Sequence, residues 1–169
     1  MNIGFYAPLK SPDSAIPSGD REMAKLLYRS LQNQGHEVKL VSRFKSREPE
    51  GLEERQKQLQ LQGEQVSKEL IQEFSTIGNW RPDLWFTYHM FYKAPDLIGP
   101  KVSAALKIPY VVAEASHSPK RARGRWSLFH EEVEKTIAHA DLIIGMNTND
   151  HAAIKQIIND NTRYEELRP

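Results

Sequence analysis

Apolar positions along this chain switch repeatedly between two spacings. Short continuous runs suit buried strands, and runs spaced by three and four suit helices. Residues 2–6 form the first apolar run, and Pro8, Pro12 and Pro17 mark the following segment as a loop. From about Ser18 to Gln34 the spacing turns helical, with Met23, Leu27 and Leu31 on one face and Leu26 alongside. Gly35 ends that helix, a common role for glycine just past a C-terminus. Val38, Leu40 and Val41 predict a second strand over 37–42, followed by a charged loop at 43–51.

A Gln-, Glu- and Lys-rich stretch from about Leu52 to Ile77 places Leu52, Leu59, Val66, Leu70 and Phe74 on one face, with Gly63 as an interruption. It reads as a solvated helix covering the sheet. A coiled-coil segment is the second reading, weakened by an imperfect and short apolar period. Leu84–Tyr88 is a third strand, 96–107 a helix entered through Pro100, and Ile108–Ala113 a fourth strand. Phe129, Val133 and Ile137 mark a helix across 127–139, Asp141–Gly145 a fifth strand, and Asn149–Ile158 a last helix. Five apolar strands separated by helices predict an α/β fold with a doubly wound parallel sheet, Rossmann-like and three-layered, filling residues 1–169 as one domain. In such a sheet a ligand lies beyond the carboxyl ends of the strands, which directs attention to 7–19, 43–51, 88–95, 114–126 and 146–149.

Composition narrows the function classes. Hydrophobic residues make up 39% of 169, enough for a sizeable core, and 23 Lys plus Arg against 22 Asp plus Glu leave a net charge of +1. That balance gives no long-range attraction to nucleic acid or an anionic surface, so any basic site is local. The chain has no cysteine, which excludes disulfides and thiolate metal ligands and fits a reducing cytoplasm. No window approaches the roughly 20 apolar residues of a membrane-spanning helix, and Met1–Tyr6 is no signal peptide. A cytoplasmic protein, free or peripheral to a membrane, is expected.

Candidate chemistry concentrates in three loops. Ser18 and Gly19 open the first helix, where unpaired amides and the helix dipole favour an oxygen ligand and Gly19 admits close approach. The same residues also fit a plain helix start, with Ser18 or Asp20 as cap, and Asp20 and Glu22 would repel a phosphate. Glu114 ends the fourth strand and His117 follows; Glu114 can accept from hydroxyls and His117 can donate or accept near neutral pH. Lys120, Arg121, Arg123 and Arg125 can clamp phosphate or carboxylate oxygens, or form a solvated basic loop. His89, among Tyr88, Phe91 and Tyr92, follows the third strand, and its aromatic neighbours could stack on a sugar or nucleobase or simply pack. His36, His130, His139 and His151 fall in turns or on helices and receive no role. No linear metal motif and no Ser-His-Asp order is present, so neither a metal nor a cofactor is expected.

The ordered set Ser18-Gly19, Gly35-His36-Glu37-Val38, Arg81-Pro82-Asp83-Leu84, Ile108-Pro109-Tyr110-Val111-Val112-Ala113-Glu114 and Ala140-Asp141-Leu142-Ile143-Ile144 resembles the N-terminal domain of retaining GT-B glycosyltransferases of the group 1, or family 4, type. The resemblance covers nearly the whole chain. It implies the acceptor-side half of a two-domain enzyme that moves a sugar from a nucleotide-sugar donor to a sugar or glycan acceptor, lipid-linked or not. It implies that Ser18 and Gly19 approach the donor and that Glu114 or His117 lies near the transferred sugar; His89, Lys120 and Arg121 are expected to contact substrate from their loop positions and chemistry alone. The donor-binding half lies outside this sequence, Arg163–Pro169 leads toward an interdomain hinge, and this half alone is expected to be inactive. The alternatives are a standalone, non-catalytic ligand-binding or regulatory module of the same fold, and the N-terminal half of another nucleotide-sugar enzyme such as an epimerase.

Overall fold

A computed structural model describes residues 1–167. The elements run β1 (Asn2–Tyr6), α1 (Gly19–Asn33), β2 (Glu37–Leu40), α2 (Glu53–Ser75), β3 (Leu84–Met90), α3 (Gly99–Leu106), β4 (Tyr110–Ala115), α4 (Ser127–His139), β5 (Leu142–Gly145), α5 (Thr148–Lys155) and β6 (Arg163–Glu166), with a short 3-10 turn at Pro119–Arg121. All six strands are parallel, in the order β2-β1-β3-β4-β5-β6. The expected α/β sheet with helices on both faces is what the chain forms, with one strand more than the five expected.

That sixth strand is a correction. Arg163–Glu166, expected as the approach to a hinge, pairs in register with β5, Tyr164 beside Ile143. It carries no apolar run because it is a charged edge strand, a common way to keep an edge from recruiting another chain. Of the segment expected to lead toward a hinge, Arg168 and Pro169 lie outside the described residues.

The chain steps left once, from β1 to β2, and right thereafter, so right-handed crossovers distribute the helices unequally. On one face α2, α3, α4 and α5 bury Leu70, Phe74, Val102, Leu106, Val133, Ile137 and Ile154 against Trp85, Tyr110, Val112 and Ile143. On the other face α1 packs Ala24, Met23, Leu27 and Leu31 against Ile3, Phe5, Val38, Phe86 and Val111, while Leu142, Ile144 and Met146 stay half-buried. Strand order reverses between β1 and β3, and the crevice extends from that side of the sheet across the carboxyl ends of β3, β4, β5 and β6.

Gly63 does not interrupt α2. The helix runs through it, and the glycine is buried because Leu97 lies against it: a Cβ there would stand 2.7 Å from the Leu97 Cβ. Its missing side chain is what lets α2 and the segment before α3 approach. Gly99 is likewise held free of a side chain, by Asp96, Trp85 and Tyr110. Asp96 is sealed in the core. Its carboxylate accepts from the Tyr110 hydroxyl at 2.7 Å, the Thr87 hydroxyl, and the backbone amides of Ile98 (2.9 Å) and Gly99 (2.7 Å), while the Trp85 indole donates to Thr87. Every oxygen is used, as a buried charge requires.

Candidate active-site crevice

Strand alternation decides which residues reach the carboxyl edge of the sheet. Along β3, Trp85 faces the four-helix layer, Phe86 faces α1, Thr87 turns back to Asp96, and Tyr88 faces α1 again. Along β4 the same parity holds from Tyr110 to Ala113. Continued for one more residue, it would aim His89 and Glu114 into the apolar layer under α3 and α4. Both residues instead take a left-handed backbone, with φ of 55° at His89 and 60° at Glu114. Tyr88 pairs with Ala113 and Met90 with Ala115, so the two bends stand side by side in neighbouring strands. Beyond them the parity is inverted: Met90 and Ala115 join the four-helix core, and His89 and Glu114 turn toward α1. A left-handed backbone at a residue other than glycine costs on the order of 1 kcal/mol, and such costs gather where a side chain must be aimed. The third residue of this kind, Lys107, merely ends α3.

The result is a cavity of about 640 Å³ lined by Gly19, Asp20, Met23, Tyr88, Glu114, Met146 and Leu167. It draws on the start of α1 and on the ends of β3, β4, β5 and β6. Gly19 and Glu114, far apart in sequence, share it. No heavy atom lies within 4 Å of the position a Gly19 Cβ would take, so the glycine faces open space. Among the described residues, two carboxylates and no basic side chain line the walls. Asp20 is tied by its Oδ1 to the His89 Nδ1 at 2.9 Å, which sets the imidazole just behind the lining. Burial, then the nearby Glu114 carboxylate and Asp20, drive the Tyr88 phenol far above its ordinary pKa, so it remains a hydroxyl at any working pH. Met23, Met146 and the Tyr88 ring supply apolar contact beside these acceptors.

Ser18 does not line the cavity; its hydroxyl accepts from the Arg21 amide at 3.2 Å as an ordinary N-terminal cap. His117 points elsewhere. It is buried, its Nε2 lies 3.0 Å from Glu134 Oε1, and its ring stands 5.0 Å from that of His130. Lys120 and Arg121 sit on the 3-10 turn; Lys120 is exposed, and the Arg121 guanidinium lies 4.8 Å and 5.0 Å from the Tyr92 and Trp126 rings. Lys93 approaches the same two rings. Tyr92 is therefore committed to a cation–π cluster, and Arg121 is not presented to the crevice. The 43–51 loop also stays out, because Glu48 is buried and its carboxylate accepts from the amides of Glu50, Gly51 and Leu52 ahead of α2.

Of the lining residues, Tyr88 belongs to the aromatic group that the sequence offers for stacking, whereas Asp20, Met23, Met146 and Leu167 are not among the sequence-derived site residues. For Asp20 the signal exists, an acid in the first turn beside Gly19; Met23, Met146 and Leu167 carry no local signature of a ligand. No helix among the described residues is long and apolar enough to cross a membrane. No family model matches the sequence, and no curated protein matches it at a significant level.

Proposed function

We propose that this chain is the acceptor-side half of a retaining glycosyltransferase of the GT-B type, and that the crevice between Gly19 and Glu114 receives a sugar or glycan acceptor. The observation that carries the reading is the chemistry of the lining at the carboxyl edge of the sheet. Two carboxylates, Asp20 and Glu114, flank a Tyr88 that stays a hydroxyl, with thioether and aromatic surface between them. Carboxylates accept from sugar hydroxyls, and apolar side chains cover the C–H faces of a pyranose ring; a few placed polar groups in a largely apolar cleft are the usual form of a small-molecule site.

The same lining disfavours a diphosphate. Neither Arg121 nor Lys120 lines the cavity, and Asp20 sits where a phosphate would approach the start of α1. Donor phosphates would then be neutralised by the second half of the enzyme, with Gly19 giving only close approach. Glu114 is the residue placed to accept from the acceptor hydroxyl, and His89 the residue that orients Asp20. His117 enters this reading only by holding the loop after β4.

The test is sugar transfer by the full-length protein that contains this domain, with Glu114→Ala as the variant. A fall in the transfer rate of at least about 100-fold, with folding retained, is expected for a group that contacts the reacting hydroxyl. For the isolated domain, titration should detect glycan acceptors and show weak or no binding of sugar nucleotides. An unchanged rate in the variant, or tight sugar-nucleotide binding by the domain alone, overturns the proposal. A domain that binds sugar while its full-length protein transfers none favours the non-catalytic module.

A further inference from the structure

Behind β4, on the four-helix side and apart from the crevice, three ligand-type side chains converge. His130 and Glu134 stand one turn apart on α4, and His117 arrives from the loop that follows β4. One ligand atom from each lies within 4.8 Å of the other two. His117 Nε2 is 3.0 Å from Glu134 Oε1, His130 Nδ1 is 3.8 Å from Glu134 Oε2, and the two rings face each other at 5.0 Å and 39°. Both histidine side chains are more than nine-tenths buried, at 4% and 3% exposure, while Glu134 keeps 42% and opens the cluster to solvent on one side.

The hydrogen bonding of the cluster is incomplete. Each imidazole directs one nitrogen toward the single carboxylate; the other nitrogen of His117, Nδ1, is buried without a hydrogen-bond partner among the described residues, and for His130 the Ser118 backbone is the neighbour at hand, short of full hydrogen-bond geometry at Nε2. Two adjacent buried imidazoles competing for one carboxylate make a poor packing solution. A divalent cation ends that competition. It takes a lone pair from His117 Nε2, one from His130 Nδ1 and one from a Glu134 carboxylate oxygen, which leaves the ring protons on the two outward nitrogens. Nitrogen–oxygen separations of 3.0 Å and 3.8 Å already bracket the roughly 3.4 Å that bonds of 2.0–2.1 Å impose between ligands in a tetrahedron, so only small shifts are needed.

We propose that His117, His130 and Glu134 bind one zinc-type divalent cation, with the fourth position filled by water from the Glu134 side. Two nitrogens and one carboxylate select borderline transition metals over magnesium or calcium, which require more oxygen ligands. The ion joins the loop after β4 to α4, across the segment that carries the basic residues 120–125. It acts there as a staple for the strand end that presents Glu114, three residues before His117. The inference stands independently of the proposed transfer reaction, since none of the three residues lines the crevice.

The test uses the 169-residue chain prepared without a histidine tag and stripped with a chelator. Zinc titration by calorimetry should give one site per chain. Cobalt should bind with the visible absorption of a low-coordinate nitrogen-oxygen site. At a hundredfold excess over Kd, zinc should raise Tm by roughly 5 °C or more. Glu134→Gln keeps the size of the side chain and should weaken binding at least tenfold, His130→Ala should abolish the cobalt absorption, and His36→Ala should change neither. Failure of wild-type chain to bind zinc at micromolar concentration, or binding that survives Glu134→Gln undiminished, overturns the proposal.

Discussion

Two carboxylates on opposite faces of the same sheet have opposite fates. Asp96 lies under the four-helix layer with both oxygens consumed by two hydroxyls and two backbone amides. Glu114, near the end of β4, is turned by its left-handed backbone to the α1 side, where it meets a cavity and the Tyr88 hydroxyl. A saturated carboxylate has no capacity left for a ligand, whereas one at a cavity wall keeps its lone pairs for an incoming donor. Charge burial alone therefore does not mark a site here; unspent hydrogen-bonding capacity at a strand end does.

The sharpest way to break that comparison is to remove each acid in turn. Asp96→Ala strands the Tyr110 and Thr87 hydroxyls and the first amides of α3 in the core, and should cost about 3–5 kcal/mol in denaturant unfolding. A cost under about 1 kcal/mol would mean the network relaxes. At Glu114 the effect should depend on backbone tolerance rather than on charge. Glu114→Val puts a branched side chain at φ 60° and should cost about 1–3 kcal/mol, while Glu114→Gly should stay within about 1 kcal/mol of wild type. Equal losses in the two variants would remove the backbone bend from the explanation.

A surface acid sharpens the lower end of the scale. Burial, the largest single influence, pushes Asp13 up, but the hydrogen bonds from Ser11 and Arg43 and the Arg43 charge together outweigh it, and its pKa is lowered. A lowered carboxylate pKa contributes stability above the unfolded value that is lost as pH falls through the folded one. Arg43→Gln should bring the Asp13 pKa back toward normal in an NMR titration and flatten the acid loss below about pH 4. Both side chains are substantially exposed, so the change should stay under about 0.5 kcal/mol.

Much of this architecture is legible in residue spacing, because the same periodicity that identifies an element also buries it. Val133 and Ile137 fix α4, and Val111, Val112 and Ala113 fix β4, with no tertiary knowledge. Spacing fails where burial is not what makes the element. Arg163–Glu166 forms a strand through backbone pairing at an edge, and its charges hide it. Gly63 looks like a helix breaker until Leu97 occupies the room it leaves. At the crevice, Gly19 and Glu114 are legible from their positions at a helix start and a strand end. The bends that turn Glu114 and His89 toward α1 are not, since neither residue type announces a positive φ as glycine would. His130 and Glu134 show their helical spacing openly, but His117 comes from another element, so no linear motif exposes the trio.

The most direct measurement is a Gly19→Trp substitution in the full-length protein, followed by sugar-transfer rate and Tm. The glycine is exposed and a Cβ there meets no neighbour, so the indole can enter the cavity without disturbing the core. If the crevice between α1 and β4 holds the acceptor, transfer should fall at least about 100-fold while Tm moves by no more than about 2 °C. Wild-type transfer by a folded Gly19→Trp protein would contradict the assignment of this crevice.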